Sequence, residues 1–498
     1  MGIKAILSKP IARFFIGKVK RWSAKPVETQ NKVFKRLITS AQNTQFGKDH
    51  HFDKIKDYES FKQNVPIRDY EGHRPYVDKI LEGKDDVLWP GKPLYFSKTS
   101  GTTSGVKYIP ITKASMPAHI NAARDALLTY IDETGKSEFF DGSLIFLSGS
   151  PEMEKKAGIY YGRLSGIVNH HIPSVLQANQ LPTYDTNCIE DWEEKLDKII
   201  DETLDKRMML ISGIPPWVQM YFDKIVARTG KKIKDVFPEF NLFVYGGVNF
   251  EPYRKKLYET IGKEVDSIEL YPASEGFIAY QNAQDDKGLL LLLNSGIFYE
   301  FIPVGEYGND NPTRLSIGEV ELGVNYAIIL STNAGLWGYS IGDTVKFTSK
   351  TPYKIIVTGR LKHFISAFGE HVIAEEVEKA FKETCKKFKE VEAIEFTVAP
   401  SVSPEEGSSR HEWYIEFATP PNDLENFEAT LDLSLTQLNT YYDDLIKGSI
   451  LQKLVVKPLL KDSFVNYMKS IGKLGGQNKV PRLSNDRKIA NTLEEYTK

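Results

Sequence analysis

Cysteine is nearly absent: only Cys188 and Cys385 occur in 498 residues, far apart in the chain. This excludes a disulfide scaffold and a cysteine-held zinc site, and points to a reduced, cytoplasmic setting. Neither sign of charge is in excess. The 64 basic and 66 acidic residues leave a formal net charge of −2, so no global field favours nucleic acid and any anion site must be local. No apolar run reaches the roughly 18 residues that a bilayer span needs. The opening stretch "MGIKAILSKPIARFFIGKVKRWSAKP" is basic, with scattered apolar residues. It lacks an unbroken apolar core and a small-residue cleavage site, and Ile6 stands where myristoylation wants Ser or Thr. It reads as an amphipathic helix packed on the body, in preference to one lying on a membrane. Hydrolase signatures are missing too. Neither His-Glu-x-x-His nor Gly-x-Ser-x-Gly occurs, and no dinucleotide fingerprint follows a strand.

What is present suits a large folded chain. Its length exceeds the roughly 250–300 residues at which one core stops growing, and 41% hydrophobic with 12% aromatic residues is ample for large cores. Short apolar runs ending in small residues ("GSLIFLSGS", "RMMLISGIP", "NLFVYGGV", "SIELYPASEG") alternate with helical patterns such as Trp192, Leu196, Ile199 and Ile200. That alternation predicts parallel α/β layers, where ligands collect at the carboxyl ends of strands. Over about 288–350 the style changes. "GLLLLLNSGIFYEFIP", with Asn-Ser-Gly as a turn, then "GEVELGVNYAIILST" and "TVKFTS" predict antiparallel hairpins. A smaller α/β unit is expected to follow, with strands at "VEAIEFTVA" and "EWYIEFA", a long helical stretch around 422–446 and an exposed loop at "APSVSPEEGSSR".

Between the strand-like "PLYF" and "YIPIT" lies a loop of small, hydroxyl-rich residues, "KTSGTTSGVK" (98–107). Glycines there let backbone N–H groups turn toward a ligand, hydroxyls add donors, and a lysine adds a mobile positive charge; together these suit a polyphosphate. It is not a P-loop, because Gly101 and Gly105 are followed by Val106 and Lys107 where Gly-x-x-x-x-Gly-Lys-Ser/Thr would be required. Taken alone it could equally be an ordinary turn.

Its companions decide. "TSGTTSGVK" resembles the phosphate loop of the adenylate-forming superfamily, which includes acyl-CoA synthetases and luciferases. In that superfamily's order follow "YGGVNFEPYRKKLYETIG", similar to its Gly-Gly loop, and "YPASEG", similar to its aromatic-x-x-Ser/Thr-Glu motif. "YSIGDTVKF" then resembles the Tyr-x-x-Gly-Asp motif and "TGRLKHFISAFGEHV" the Gly-Arg hinge motif. Within the superfamily the chain is identified as a member of the Gretchen Hagen family of acyl acid amido synthetases. The features are "SGTTSG" followed by "KYIPIT", the wording "YPASEG", and "GGQNKVPR", which resembles a Gln-aromatic-Lys-x-Pro-Arg signature. Two departures stand out. Asn478 replaces the aromatic residue, and Lys107 lies one residue nearer the glycine than in many members.

The resemblance implies a luciferase-like adenylate-forming α/β fold. A large domain over 1–361, with a β-rich part, would be followed by a smaller mobile domain over 362–498. It implies ATP and Mg²⁺, a small carboxylic acid and an amino acid as substrates, and a monomer binding neither nucleic acid nor membrane. Ser100, Gly101, Thr102, Thr103 and Lys107 would hold the β- and γ-phosphates, and Gly246 and Gly247 would border the acyl and adenine pockets. Tyr271 would lie against adenine, Ser274 would donate to the α-phosphate, and Glu275 would hold Mg²⁺. Asp343 would accept from both ribose hydroxyls, and Arg360 would contact ribose or phosphate. Lys479 would stabilise charge at the α-phosphate, with Lys473 in "IGKLGG" its rival, and Lys362 is the hinge candidate. An acyl-CoA ligase, sharing the first half-reaction, and a non-catalytic nucleotide-binding module are the alternatives. Duller roles stand beside these: core aromatic for Tyr271, helix cap for Glu275, turn residue for Asp343. The pair His170-His171 is expected to be structural or to contact substrate, because neighbours on a strand face opposite ways. Arg124 is expected in a surface salt bridge rather than on the acyl carboxylate.

Overall fold

The computed structural model describes the chain except for residues 1, 103–104, 173–176, 178, 249, 362–363, 366, 371, 403–408, 472–479 and 498. Its contacts divide into two units. One comprises Met1–Thr99, Tyr108–Ile189 and Lys195–Leu361; the other comprises Ser100–Lys107, Glu190–Glu194 and Lys362–Lys498.

The strands are β1 Tyr95–Thr102, β2 Gly105–Ile111, β3 Ser143–Phe146, β4 Glu154–Lys156, β5 Ile159–Gly162, β6 Gln180–Leu181, β7 Met208–Ser212, β8 Leu242–Gly246, β9 Asp266–Ala273 and β10 Gly276–Gln281. They continue as β11 Leu289–Leu291, β12 Ile297–Pro303, β13 Asn325–Thr332, β14 Tyr339–Lys350, β15 Tyr353–Arg360, β16 Phe364–Ile365, β17 Val372–Ile373, β18 Glu392–Ser401, β19 Arg410–Thr419 and β20 Val455–Leu459.

The first unit is built on one eleven-stranded sheet, ordered β12-β13-β14-β15-β11-β10-β9-β8-β7-β3-β6. Its β9-β8-β7-β3-β6 half is parallel. These are the apolar runs that the alternation predicted, and strands buried on both faces need such continuous runs. From β9 onward every neighbour is antiparallel. The β-rich stretch is thus joined to the parallel half edge to edge. One expected hairpin does not form. Asn294-Ser295-Gly296 links β11 to β12, yet β11 pairs with β10 and β15 while β12 pairs with β13. The turn chemistry is local, whereas strand partners are set by which apolar faces meet.

Helices cover the sheet. Ala12, Ile16 and Val19 of helix Ile3–Ser23 pack with Ala122 and Ala126 of helix Met116–Thr134 and with Leu144, Leu210, Leu242 and Ile268 of the parallel strands. The opening helix does lie on the body. A second, smaller sheet, β2-β1-β5-β4, contains the hydroxyl-rich segment. The loop expected over 98–107 is narrower than that: β1 continues to Thr102 and β2 begins at Gly105. Ladder bonds come from the backbone, so a run of small residues can stay in a strand.

In the second unit β18, β19 and β20 form a three-stranded sheet. The helical stretch around 422–446 is two helices, Leu424–Leu438 and Thr440–Lys447. Asn439 separates them: its side-chain oxygen caps the second by accepting from Tyr442 N, and its amide donates to the buried Glu376. The segment 403–408 of the expected exposed loop lies outside the described residues.

Candidate functional site

Two antiparallel pairings assemble the site. In the first, Ala273 of β9 faces Gly276 of β10, so Ser274 and Glu275 form a two-residue turn at the hairpin tip. Glu275 therefore caps no helix. In the second, Asp343 of β14 stands directly opposite Arg360 of β15, with Gly342 at φ +88° just before it. Register alone brings those two side chains together, and Arg360 Nε lies 2.6 Å from Asp343 Oδ1.

The two pairings are tied by Tyr271, whose hydroxyl donates to Asp343 Oδ2 at 2.5 Å. Burial, and then the charge of Asp343, push the Tyr271 hydroxyl well above its ordinary pKa. It stays a donor at all working pH values. Glu275 is buried, and its Oε1 accepts from the hydroxyl of Tyr339 at 3.1 Å. Burial and the Glu275 charge likewise raise Tyr339. Ser274 Oγ shares a 2.8 Å hydrogen bond with Ser97 Oγ of β1.

Gly246 and Gly247 end β8 beside this group. A Cβ on Gly246 would lie 2.5 Å from the carbonyl oxygen of Leu270, the residue before Tyr271, and Gly247 has φ +83°. The first glycine permits close approach of β8 to β9; the second permits the turn away from it.

Tyr271, Ser274, Glu275, Asp343, Arg360, Gly246 and Gly247 are therefore gathered around neighbouring strand ends. Ser100, Gly101 and Thr102 are the last residues of β1, and Lys107 lies on β2. Thr103, Lys362, Lys473 and Lys479 lie outside the described residues. His170 donates its Nε2 hydrogen to the Pro151 carbonyl at 2.8 Å, and His171 Nε2 is 3.0 Å from the Tyr95 hydroxyl. Arg124 is paired with Asp125 at 2.6 Å and lies over the Phe15 ring. Arg124 is thus in the expected salt bridge; the two histidines have structural contacts as expected, but they follow helix Leu164–Asn169 and do not lie on a strand, so the opposed facing of strand neighbours does not apply to them.

Two participants and one buried cation escaped the sequence. Ser97 precedes the hydroxyl-rich run and carries no motif of its own. Tyr339 opens the quoted Tyr-x-x-Gly-Asp motif, but nothing in its spacing announces Glu275 as its partner. Lys195, on helix Trp192–Thr203, is buried and donates to the carbonyls of Ser148 and Asn187 at 3.1 and 2.7 Å. Burial, with a further push from Arg163, lowers it to about 8. The signal available was a lysine within an apolar helical repeat, which usually means a solvated edge.

Among the described residues no group of three or more His, Cys, Asp or Glu is placed to hold a metal ion. Mg²⁺ commonly binds through one or two carboxylates with waters and substrate phosphates in preference to an all-protein cage. Glu275 supplies a hard oxygen ligand of the required kind.

Residues 15–181 and 150–265 match the N-terminal domain of the GH3 family, 290–360 its central domain and 375–488 its C-terminal domain. A jasmonoyl–L-amino acid synthetase of Nicotiana attenuata, JAR6, is 22% identical, over 91% of this chain and 90% of that one. An indole-3-acetic acid-amido synthetase of Arabidopsis thaliana, GH3.2, is 20% identical over 76% and 82%. Among solved structures, the GH3.15 acyl acid amido synthetase superposes with a TM-score of 0.61 at 16% identity, covering 97% of this chain and 96% of that one. A 2-hydroxyisobutyryl-CoA ligase bound to its acyl adenylate and CoA superposes with a TM-score of 0.60 at 13% identity, covering 95% and 93%. The fold is thus that of the adenylate-forming ligases. With three domain matches in order along it, the chain belongs to the GH3 family.

Proposed function

We propose that this protein is an ATP-dependent acyl acid amido synthetase, acting on a small carboxylic acid and an amino acid as a cytoplasmic monomer. In the first half-reaction a carboxylate oxygen attacks the α-phosphorus of ATP, the bond to the β-phosphate breaks and pyrophosphate leaves. In the second the amine nitrogen attacks the acyl carbon, the bond to AMP breaks, and the amine gives up a proton.

The observation that carries this reading is the Asp343 carboxylate, held by Tyr271 on one oxygen and Arg360 on the other. A carboxylate has about four acceptor positions. Two fixed donors leave it oriented and still able to accept from the two ribose hydroxyls. Ser274, steadied by Ser97, donates to the α-phosphate, and Gly246 and Gly247 border the acyl and adenine pockets. Glu275, steadied by Tyr339, would hold Mg²⁺, which would supply the positive charge to offset phosphates that otherwise repel a carboxylate there. Ser100, Gly101, Thr102, Thr103 and Lys107 grip the outer phosphates. Lys479 is delivered by a mobile domain over 362–498, with Lys362 as hinge. A lysine must approach for adenylation and then leave room for the amine, which a domain rotation provides.

The acceptor is the point a rival reading contests, since the fold is shared almost equally with a CoA ligase. Purified protein with ATP, Mg²⁺ and mixed carboxylic acids, offered amino acids or CoA in parallel, settles it by product masses. An N-acyl amino acid with AMP is expected. A thioester formed in its place makes the protein an acyl-CoA ligase, and no AMP with any acid makes it a nucleotide-binding module. Lys479→Ala should slow pyrophosphate exchange by roughly 10²–10³, the usual cost of a lost transition-state donor, with ATP binding little changed. The same loss from Lys473→Ala would move the role to that residue.

A further inference from the structure

Helix Ile3–Ser23 is apolar on two faces. The inner face, Ala5, Ala12, Ile16 and Val19, is buried against the body. On the other side Phe14 is 61% exposed, Ile6 and Leu7 are each 55% exposed, and Ile11 is 47% exposed. At about 100° per residue these four fall within one arc of about 140°. A side chain this exposed normally mutates to a polar one at little cost, so four together on one arc call for an occupant.

The charge pattern identifies it. Lys4, Lys9, Arg13, Lys18, Lys20 and Arg21 are all the ionisable side chains of the helix, and none is acidic, in a chain whose net charge is −2. By the same wheel Lys4 lies at one edge of the apolar arc and Lys9, Arg13 and Lys20 at the other, while Lys18 and Arg21 share its angular span one and two turns beyond Phe14. The Lys18 ammonium rides over the rings of Phe14 and Phe15 at 4.7 and 5.1 Å. Acidic contacts come from elements on the inner side: Asp132, 3.5 Å from Lys20, lies on helix Met116–Thr134, and Asp141 receives the Gly2 N–H. An apolar strip with cations on both rims matches the boundary between acyl chains and anionic headgroups, where such helices lie with the apolar face sunk about 5–10 Å. A second copy is a poor occupant, because two such helices would bring like charges together.

We propose that the outer face of helix Ile3–Ser23 docks the protein on an anionic lipid bilayer, lying in its surface without crossing it. The inner face keeps the helix on the body while the outer face enters the headgroup layer. The inference stands independently of the catalytic reading.

The test is co-sedimentation of the full chain with phosphatidylcholine vesicles, with or without one part in three of phosphatidylserine. Binding is expected only with phosphatidylserine and should weaken as salt shortens the screening length. The double variant Leu7→Asp/Phe14→Asp should lose binding by on the order of tenfold or more, its unfolding midpoint unchanged because both side chains are exposed. Arg13→Gln/Lys18→Gln tests the charges separately and should lose it similarly. Equal binding to neutral vesicles, no binding at all, or full binding by both variants would overturn the proposal. So would a dimer by light scattering that the Leu7/Phe14 variant dissociates, since the occupant would then be a second copy.

Discussion

The two halves of the large sheet divide the work differently. In the antiparallel half, polar side chains meet across strands: Asp343 with Arg360 by register, Tyr271 with Asp343, and Tyr339 with Glu275. In the parallel half the strands are apolar and end in small residues, and its buried cation, Lys195, is held by backbone carbonyls. Antiparallel neighbours place side chains directly opposite one another, so a functional constellation can be written into register. Parallel strands leave their chemistry to the turns beyond their carboxyl ends. Here the turn after β8 contributes backbone space through Gly246 and Gly247, whereas the hairpin tip after β9, the strand that borders both halves, carries Ser274 and Glu275.

If that division holds, damage to the antiparallel pairings should strike catalysis, and damage to the parallel half should strike stability. The largest effect is expected from Asp343→Ala, which removes the acceptor proposed for ribose and the carboxylate that Tyr271 and Arg360 contact. Two charge-assisted hydrogen bonds at roughly 1.5–3 kcal/mol each imply a loss on the order of 10²–10⁴ in kcat/KM for ATP. Pyrophosphate exchange against ATP concentration measures it, and a loss under tenfold would mean that ATP use does not depend on the Asp343 carboxylate.

Next is Lys195. A buried lysine lowered from 10.5 to about 8 binds its proton less readily folded than unfolded. The unfolded chain therefore holds more protons between those values, and the wild type gains stability as pH rises through that window. Relative to Lys195→Met, wild-type unfolding free energy should rise by about 2–3 kcal/mol from pH 7 to pH 10. Denaturant titrations at the two pH values test this. A flat difference would mean that the ammonium is fully compensated by Ser148 and Asn187.

The smallest effect sharpens the boundary between the halves. Gly246→Ala puts a methyl 2.5 Å from the Leu270 carbonyl, where backbone must shift. Overpacking of this kind costs about 1–3 kcal/mol. The melting temperature should fall, while KM for ATP changes only as far as the shift reaches Tyr271. A change in KM without a change in melting would place Gly246 among the binding groups rather than the scaffold.

How much of this was legible beforehand depends on the range of the interaction concerned. The apolar runs of β3, β7, β8 and β9 and the middles of β18 and β19 could be read directly, because period and composition are local. The motif segments were legible through their resemblance to a known superfamily, since each is a short contiguous word. The partner of each word was not. Asn294-Ser295-Gly296 looks like a hairpin turn, but β11 and β12 find other neighbours. A single stretch around 422–446 divides at Asn439 because the residues that satisfy its side chain, Tyr442 and Glu376, are settled partly by the tertiary fold. Lys195 reads as surface until the walls around it are known.

Local spacing and side-chain chemistry set the element types of the sheet and the amphipathic character of the opening helix, and resemblance to a known superfamily picked out the motif segments in their order. Only the tertiary structure decided that Tyr271 reaches Asp343 across 72 residues, that Ser97 steadies Ser274 across 177, and which face of helix Ile3–Ser23 is left outside. Those outcomes depend on which surfaces exclude water together, and that is a property of the whole chain at once.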